Sequence, residues 1–281
     1  MLDIEQYIPL IKRIHLLDAL RTIPVLVKDD HFCFSSFCEK NNNHPVINAQ
    51  GLFHPCLMTQ KFEDIVKNDI VLGSDDQPYN MLITGPNAGG KSTFVKSMLF
   101  AVLLSQTLTI ANAARFTHTP FAFLNTQINI PDTKGKQSLF EAEMFRSKSN
   151  FDTLKKLPSD AMGLIAIDEI FSSTNPVEGI AGAYAIAKKL GEYRNTMNII
   201  TTHYVHLSQL EKEQKTYRNF CMNVEQDAEG NVTRYPYCLN YGVSRQYIAL
   251  ELLAKNGFDA DIIQEALDVK HKMFQTYKNK A

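Results

Sequence analysis

Residues 79–84 (YNMLIT) form an apolar run of strand length, and it leads straight into Gly85-Pro86-Asn87-Ala88-Gly89-Gly90-Lys91-Ser92. The pattern is GxxxxGK[ST]. It lies between a predicted strand and a run in which Phe94, Met98, Leu99, Val102 and Leu103 are expected to share one helical face. Glycines let backbone N–H groups wrap anionic oxygens, and the helix N-terminus adds the positive end of its dipole. Lys91, expected on an exposed turn, then places a point charge on the β- and γ-phosphates of a nucleotide. Ser92 offers its hydroxyl to Mg²⁺. Few other features confine a chain so closely: the turn requires a strand before it and a helix after it.

The remaining pattern agrees. Residues 163–167 (GLIAI) read as a buried strand ending in Asp168 and Glu169, and residues 197–202 (MNIITT) as another ending at His203. Residues 121–130 are a further strand candidate, and residues 178–193 are Ala-rich and helical. Strands alternating with helices predict a largely parallel sheet covered by helices. At the C-terminal edge of such a sheet Asp168 is placed to hold Mg²⁺, directly or through water, and Glu169 to polarise an attacking water as general base. His203, on a strand expected to neighbour the two acids, supplies a polar group within reach of a γ-phosphate. Residues 221–237 alternate around Glu229-Gly230-Asn231 and read as a β-hairpin, and residues 259–280 as a long helix. Residues 1–28 read as helical, with Pro24 ending the pattern. The polar stretch 28–44, with its three consecutive asparagines, marks a boundary.

Composition narrows the function classes. A chain of 281 residues suits one large α/β domain with an appendage, or two small domains. Lys plus Arg number 29 against 30 Asp plus Glu, a net charge of −1, so general polyanion binding is not expected. The five cysteines form no CxxC pair, which points to reduced thiols in an intracellular protein, and His54 with Cys56 falls short of a zinc site. The N-terminus lacks a basic segment followed by an apolar run, and the most apolar stretch, 98–104, is too short to span a bilayer, so no membrane partner is expected.

Taken together these motifs resemble the ATPase domain of the MutS family of DNA mismatch-repair proteins. Residues 83–93 (ITGPNAGGKST) carry the closest likeness, with Ala88 where the family usually has Met, and Thr93 completing the turn. Phe53-His54-Pro55 resembles the family's Arg-His-Pro turn with Phe53 in place of Arg. Lys67-Asn68-Asp69-Ile70 resembles the segment that runs past the adenine. Ser138-Leu139-Phe140-Glu141-Ala142-Glu143-Met144 resembles the signature segment, Thr201-Thr202-His203-Tyr204 the segment after the acids, and Asn240-Tyr241-Gly242-Val243-Ser244 the one preceding the final helices.

The resemblance implies an ABC-type P-loop ATPase over residues 46–281, preceded by a helical segment, 1–45, like the end of a lever. It implies ATP and Mg²⁺ as ligands, and a dimer in which Ser138 completes the other subunit's γ-phosphate site. Ser138 followed by Glu141 also fits a capping box, which is compatible with that role. Tyr237 with Ile65 or Val66 is the expected adenine sandwich, because aromatic and aliphatic faces suit a purine. The partner subunit is a second copy or a fuller homologue, and DNA contact is expected through domains missing here or held by the partner.

Two departures stand out. The loop after Ile170 reads Phe171-Ser172-Ser173-Thr174-Asn175-Pro176-Val177-Glu178-Gly179 instead of a Gly-Arg-Gly-Thr-Ser type, and only about 45 residues precede the ATPase, as in a fragment or a short relative. Two other readings stay open: another ABC-type ATPase, against which the absence of a Leu-Ser-Gly-Gly-Gln signature argues, or a nucleotide-gated interaction module without turnover.

Overall fold

The computed structural model describes residues 4–28, 31–39, 43–58, 62–74, 77–128, 138–227, 231–246 and 257–278. A short 3-10 turn leads into helix α1 (Ile8–Lys28). Strands β1 (Cys33–Phe34), β2 (Ser36–Phe37), β3 (Ile47–Leu52), β4 (Asn68–Leu72) and β5 (Asn80–Thr84) precede helix α2 (Lys91–Leu108). Strands β6 (Ile110–Ala111), β7 (Arg115–His118) and β8 (Phe123–Gln127) lead to helix α3 (Leu139–Leu154). Then follow β9 (Gly163–Ile167), helix α4 (Pro176–Leu190), β10 (Thr196–Thr202) and the single-turn helix α5 (Leu210–Glu213). Strands β11 (Tyr217–Cys221), β12 (Glu225–Gln226), β13 (Val232–Arg234) and β14 (Asn240–Tyr241) complete the body, and a helix spans Ala260–Lys278.

The central sheet has the order β14-β11-β5-β10-β9-β8. Every pairing in it is parallel except β11 with β14. Strands β5, β9 and β10 are buried along their whole length, which is why they read as continuous apolar runs. Their side chains alternate between two cores. Met81, Ile83, Leu164, Ala166, Met197 and Ile199 face the larger one, shared with α2. Leu82, Ile165, Ile167 and Ile200 face the other, shared with Ala183, Ala187 and Leu190 of α4. The result is an α/β fold with a mixed, mostly parallel sheet between helical layers.

A second sheet, β2-β7-β3-β4, closes over the α2 side. Residues before 46 take part: β1 pairs with β6, and β2 with β7. Helix α1 buries none of its residues fully, but Ile23, Leu26 and Val27 near its end pack on Phe32, Phe53, Ile65 and Ile110.

Several expectations change. Helix α1 continues through Pro24 instead of ending there, and the proline costs one internal hydrogen bond near the last turn. Leu103 leaves the expected apolar face of α2 and is 51% exposed, while Ala101 and Ser105 turn inward. The strand expected over residues 121–130 is β8, which runs Phe123–Gln127, and residues 129–130 lie outside the described residues. The hairpin is shorter than its alternation suggested. Only β12 and β13 pair around the turn, Cys221 belongs to the central sheet, and Glu229 and Gly230 lie outside the described residues. Strand β10 lies between β5 and β9, so the acids are two strands from the glycine-rich turn and His203 is on the strand between them.

Candidate functional site

The glycine-rich loop joins β5 to α2 under tight steric constraint. A Cβ at Gly85 would lie 2.4 Å from the Met222 carbonyl oxygen, so the loop passes the end of β11 too closely for any side chain. Ala88 (φ 63°) and Gly90 (φ 98°) adopt left-handed backbone, and the Gly89 N–H donates to the Pro86 carbonyl at 3.1 Å. Gly90 gives α2 no side-chain cap, which leaves first-turn N–H groups available to an anion.

Lys91 is not on an exposed turn. Its side chain is only 4% exposed, and Nζ donates to the carbonyls of Gly85 at 2.9 Å and Pro86 at 3.0 Å, holding the loop closed. Burial pushes its ammonium below the ordinary value, opposed by the nearby charges of Glu169 and Asp168.

The two acids follow β9 directly. The Thr201 hydroxyl donates to Asp168 Oδ1 at 2.5 Å and accepts from the Glu169 N–H at 2.9 Å. Glu169 (φ 57°) and Phe171 (φ 54°) are both left-handed, a strained turn that aims successive side chains in different directions. His203 sits at the end of β10, exposed on its outer side, with its ring edge against Tyr204 at 4.8 Å. Desolvation pushes its imidazole below the ordinary value despite the attraction of Glu169, and the Lys91 charge lowers it further.

A cavity of about 470 Å³ is built on these elements. Its floor is the loop from Asn87 through Ser92 and Thr93, and Glu169 reaches it from the acid turn. Ile65, Val66 and Tyr237 line the same cavity. Tyr237 is 44% exposed and left-handed (φ 54°), and its ring stands against Gly90, where a Cβ would meet Cδ1 at 3.0 Å. Asn68 pins this segment: Oδ1 accepts from the Leu239 N–H at 2.7 Å, and Nδ2 donates to the Tyr237 carbonyl at 3.2 Å. Ile65 is mainly a core residue, packed with Phe32, Phe53 and Ile110, whereas Val66 is half-buried. A cavity of this size with an aromatic wall and convergent N–H groups suits a nucleotide-sized ligand.

A second cavity of about 340 Å³ lies beyond Ser92 and Glu169, which line both. Asp168, Gln127 and Glu143 also line it. Burial raises the Glu143 carboxyl above its ordinary value, opposed in part by the Ser173 hydroxyl.

Ser138 stands apart from both cavities, exposed at the start of α3. Its hydroxyl accepts from the Glu141 N–H at 3.2 Å, and Glu141 Oε2 accepts from the Ser138 N–H at 2.9 Å, so the predicted capping box is present. All five cysteines are free thiols, and His54 Nδ1 accepts from the Cys56 N–H to cap a short turn. No group of three or more His, Cys, Asp or Glu side chains among the described residues is placed to hold a metal. Thr201, Gln127 and Glu143 were not singled out as site residues from sequence. Thr201 and Glu143 lay within segments that resemble the family's, and Gln127 within the strand candidate 121–130.

Comparison with known proteins identifies the family. Residues 81–274 match the family described as MutS domain V. The DNA mismatch repair protein MutS of Persephonella marina is 27% identical over 218 residues, covering 77% of this chain and 24% of that protein. The proteins of the same name from Leuconostoc citreum (27% over 274 residues) and Cytophaga hutchinsonii (26% over 263) cover 96% and 89% of this chain, and 30% of their own length in each case. The chain thus spans less than a third of the length of these relatives. With more than half of its residues matched, the chain belongs to the MutS family and carries its domain V.

Proposed function

We propose that this chain is the ATP-binding and ATP-hydrolysing part of a MutS-type DNA mismatch-repair protein, an ABC-type P-loop ATPase working as a dimer with composite sites. The observation that carries this reading is the convergence of the Lys91 loop, Ser92 and Glu169 on one cavity whose wall includes Tyr237. ATP would lie with its phosphates on the Gly85–Thr93 loop and its base between Tyr237 and Val66, with Ile65 as backing. Lys91 exchanges loop carbonyls for phosphate oxygens, and Glu169 orients and deprotonates the attacking water, with His203 beside it.

The donors present fit Mg²⁺. This ion prefers a hydroxyl, one or two carboxylates, phosphate oxygens and retained waters to a protein cage, in keeping with Ser92 and Asp168, which line one cavity. Bound there, it would neutralise charge on the β- and γ-phosphates. Thr201 keeps one Asp168 oxygen occupied and its orientation fixed. Ser138, outward-facing, would reach the γ-phosphate of a second subunit. DNA contact would come from parts of a longer protein or from a partner, since the chain has a net charge of −1. No helix among the described residues is long and apolar enough to cross a membrane. Residues 46–281 are proposed as the ATPase unit, with residues 1–45 as the end of a lever.

Glu169→Gln tests the reading. The variant should bind Mg-ATP as the unmutated chain does, with turnover lowered ~10²–10⁴-fold. It should also accumulate as an ATP-dependent dimer in sedimentation, because ligand bound only in the paired state stabilises pairing. Failure of the unmutated chain to bind ATP refutes the proposal, and near-normal hydrolysis by the variant removes Glu169 from the role of base.

A further inference from the structure

The 470 Å³ cavity extends well beyond the phosphate loop. It follows helix α2 past Phe94 to Ser97 and reaches the turn that begins at His54. Away from the loop and the acid turn, and besides the Tyr237 ring, its polar side chains are His54, Asp64, Asn68 and Ser97. Two of these are already engaged. The Asn68 amide is held at both ends by the Leu239 N–H and the Tyr237 carbonyl, and the Ser97 hydroxyl donates to the Thr93 carbonyl at 2.8 Å.

The other two are not. His54 Nδ1 accepts from the Cys56 N–H at 3.3 Å, and the ring stands edge-on to Phe100 at 5.5 Å. Burial, helped by the Lys96 charge, pushes the imidazole below its ordinary value. The ring is therefore neutral near pH 7, and with Nδ1 accepting, its one proton sits on Nε2 as a donor. Asp64 closes the 3-10 turn Phe62–Asp64, is exposed, and directly precedes the Ile65-Val66 wall. Among the described residues it forms no ion pair. One cavity thus offers a neutral N–H donor and a carboxylate acceptor, both apart from the phosphate loop.

We infer that Asp64 and His54 read the sugar of the bound nucleotide, with Asp64 accepting from the ribose 2′-hydroxyl and His54 Nε2–H donating to a sugar oxygen, so that the site prefers ATP to dATP. This rests on the ATP reading above and deepens it. With the phosphates on the loop and the base between Tyr237 and Val66, the sugar occupies the middle of the ligand. An ionised carboxylate only accepts hydrogen bonds, so it needs a donor. The phosphates repel it, whereas a sugar hydroxyl supplies an O–H and can accept from an N–H in return. Asp64 borders the wall proposed for the base, which places its carboxylate beside the part of the ligand joined to that base. Carboxylates read the ribose 2′-hydroxyl in the same way in dinucleotide sites.

Titration calorimetry on the whole chain tests this with the β,γ-imido analogues of ATP, dATP and GTP in the presence of Mg²⁺. The unmutated chain should bind the ATP analogue about 10-fold tighter than the dATP analogue, the low end for a hydrogen bond to a charged group, because water competes at an exposed carboxylate. Asp64→Ala should weaken the ATP analogue by about the same 10-fold and leave the dATP analogue unchanged, so that the two affinities become equal. His54→Asn keeps an acceptor for the Cys56 N–H but withdraws the ring, and should narrow the preference as well. Equal affinity of the unmutated chain for the ATP and dATP analogues overturns this inference alone, and that comparison needs no variant. Equal weakening of both by Asp64→Ala marks a merely structural residue and also overturns it. So does a variant that changes the ATP-to-GTP preference and keeps the ATP-to-dATP one, since Asp64 then faces the base. No binding of any analogue by the unmutated chain overturns the ATP reading as well.

Discussion

Thr201→Val removes one hydroxyl and leaves the side-chain shape almost unchanged, and the structure lets its cost be worked out. Thr201 is fully buried, donates to Asp168 Oδ1 at 2.5 Å and accepts from the Glu169 N–H at 2.9 Å. A hydrogen bond to a charged group contributes about 1.5–3 kcal/mol, and an orphaned buried N–H costs roughly 1–3 kcal/mol. Asp168 and Glu169 are both part-exposed, so water recovers some of each, and the net loss should be about 2–4 kcal/mol. At roughly 2–4 °C per kcal/mol for a chain approaching this size, melting should fall by about 4–16 °C. Urea unfolding followed by far-ultraviolet circular dichroism measures it, since the chain has no tryptophan to report by fluorescence. The N–H bond also helps hold Glu169 in its left-handed conformation, which carries roughly 1–3 kcal/mol of strain. ATP turnover should therefore fall further than ATP affinity, and Thr201→Ser should restore both. In a double-mutant cycle with Asp168→Ala, a coupling of at least about 1 kcal/mol is expected for residues in direct contact. A stability loss below about 0.5 kcal/mol, typical of an uninvolved surface site, would refute the reasoning.

Lys91→Met should keep the fold, because the apolar chain fills the same space and no buried ammonium remains. It should lose about 10- to 100-fold in ATP affinity, the worth of one charged hydrogen bond, read with a fluorescent ATP analogue; unchanged affinity argues against a phosphate role. Ser138→Ala should cost about 1 kcal/mol through loss of its cap and lower turnover while each subunit still binds ATP. Mixing it with Lys91→Met chains should restore part of the activity, since one composite site per mixed dimer keeps its parts, and no recovery leaves Ser138 as a cap only. His118 is fully buried, with Nδ1 donating to the Thr119 carbonyl and Nε2 2.8 Å from Ser105 Oγ, and burial pushes its pKa below the ordinary 6.5. The unfolded chain then takes up a proton first as pH falls, so the His118 contribution is intact above pH 6.5 and is lost below it, down to the folded value. Urea midpoints at pH 8 and pH 5.5 should converge in His118→Gln relative to the unmutated chain, and an identical pH dependence would show that His118 does not carry it.

The elements most legible in the sequence were those whose environment is uniform. Strands β5, β9 and β10 are buried on both faces, so every residue had to be apolar or hydrogen-bonded, and the pattern was visible without knowing their neighbours. The capping box at Ser138 is local in the same sense, since both partners lie within four residues. Features that depend on distant segments were misread or missed. Leu103 fits a helical period, but which arc of α2 meets a core depends on where the sheets lie. Pro24 breaks a helix only where the helix is forced to stop, and the three residues around the end of α1 that pack on the body carry it through.

The sequence by itself determined the local pieces of the proposed site: a glycine-rich turn between a strand and a helix, two acids closing a strand, and a capped helix carrying Ser138. These follow from bonded neighbours and from backbone conformations that only certain residues tolerate. Tertiary structure alone decided that β10 is inserted between the turn and the acids, which brings Thr201 onto Asp168 across 33 positions of chain. It also decided that Lys91 is buried against its own loop and that α3 turns Glu143 toward Gln127 at the edge of the same site. Strand order and helix rotation are set by how two cores fill on either side of one sheet. That filling is a sum over residues far apart in the chain, and no local run of sequence records it.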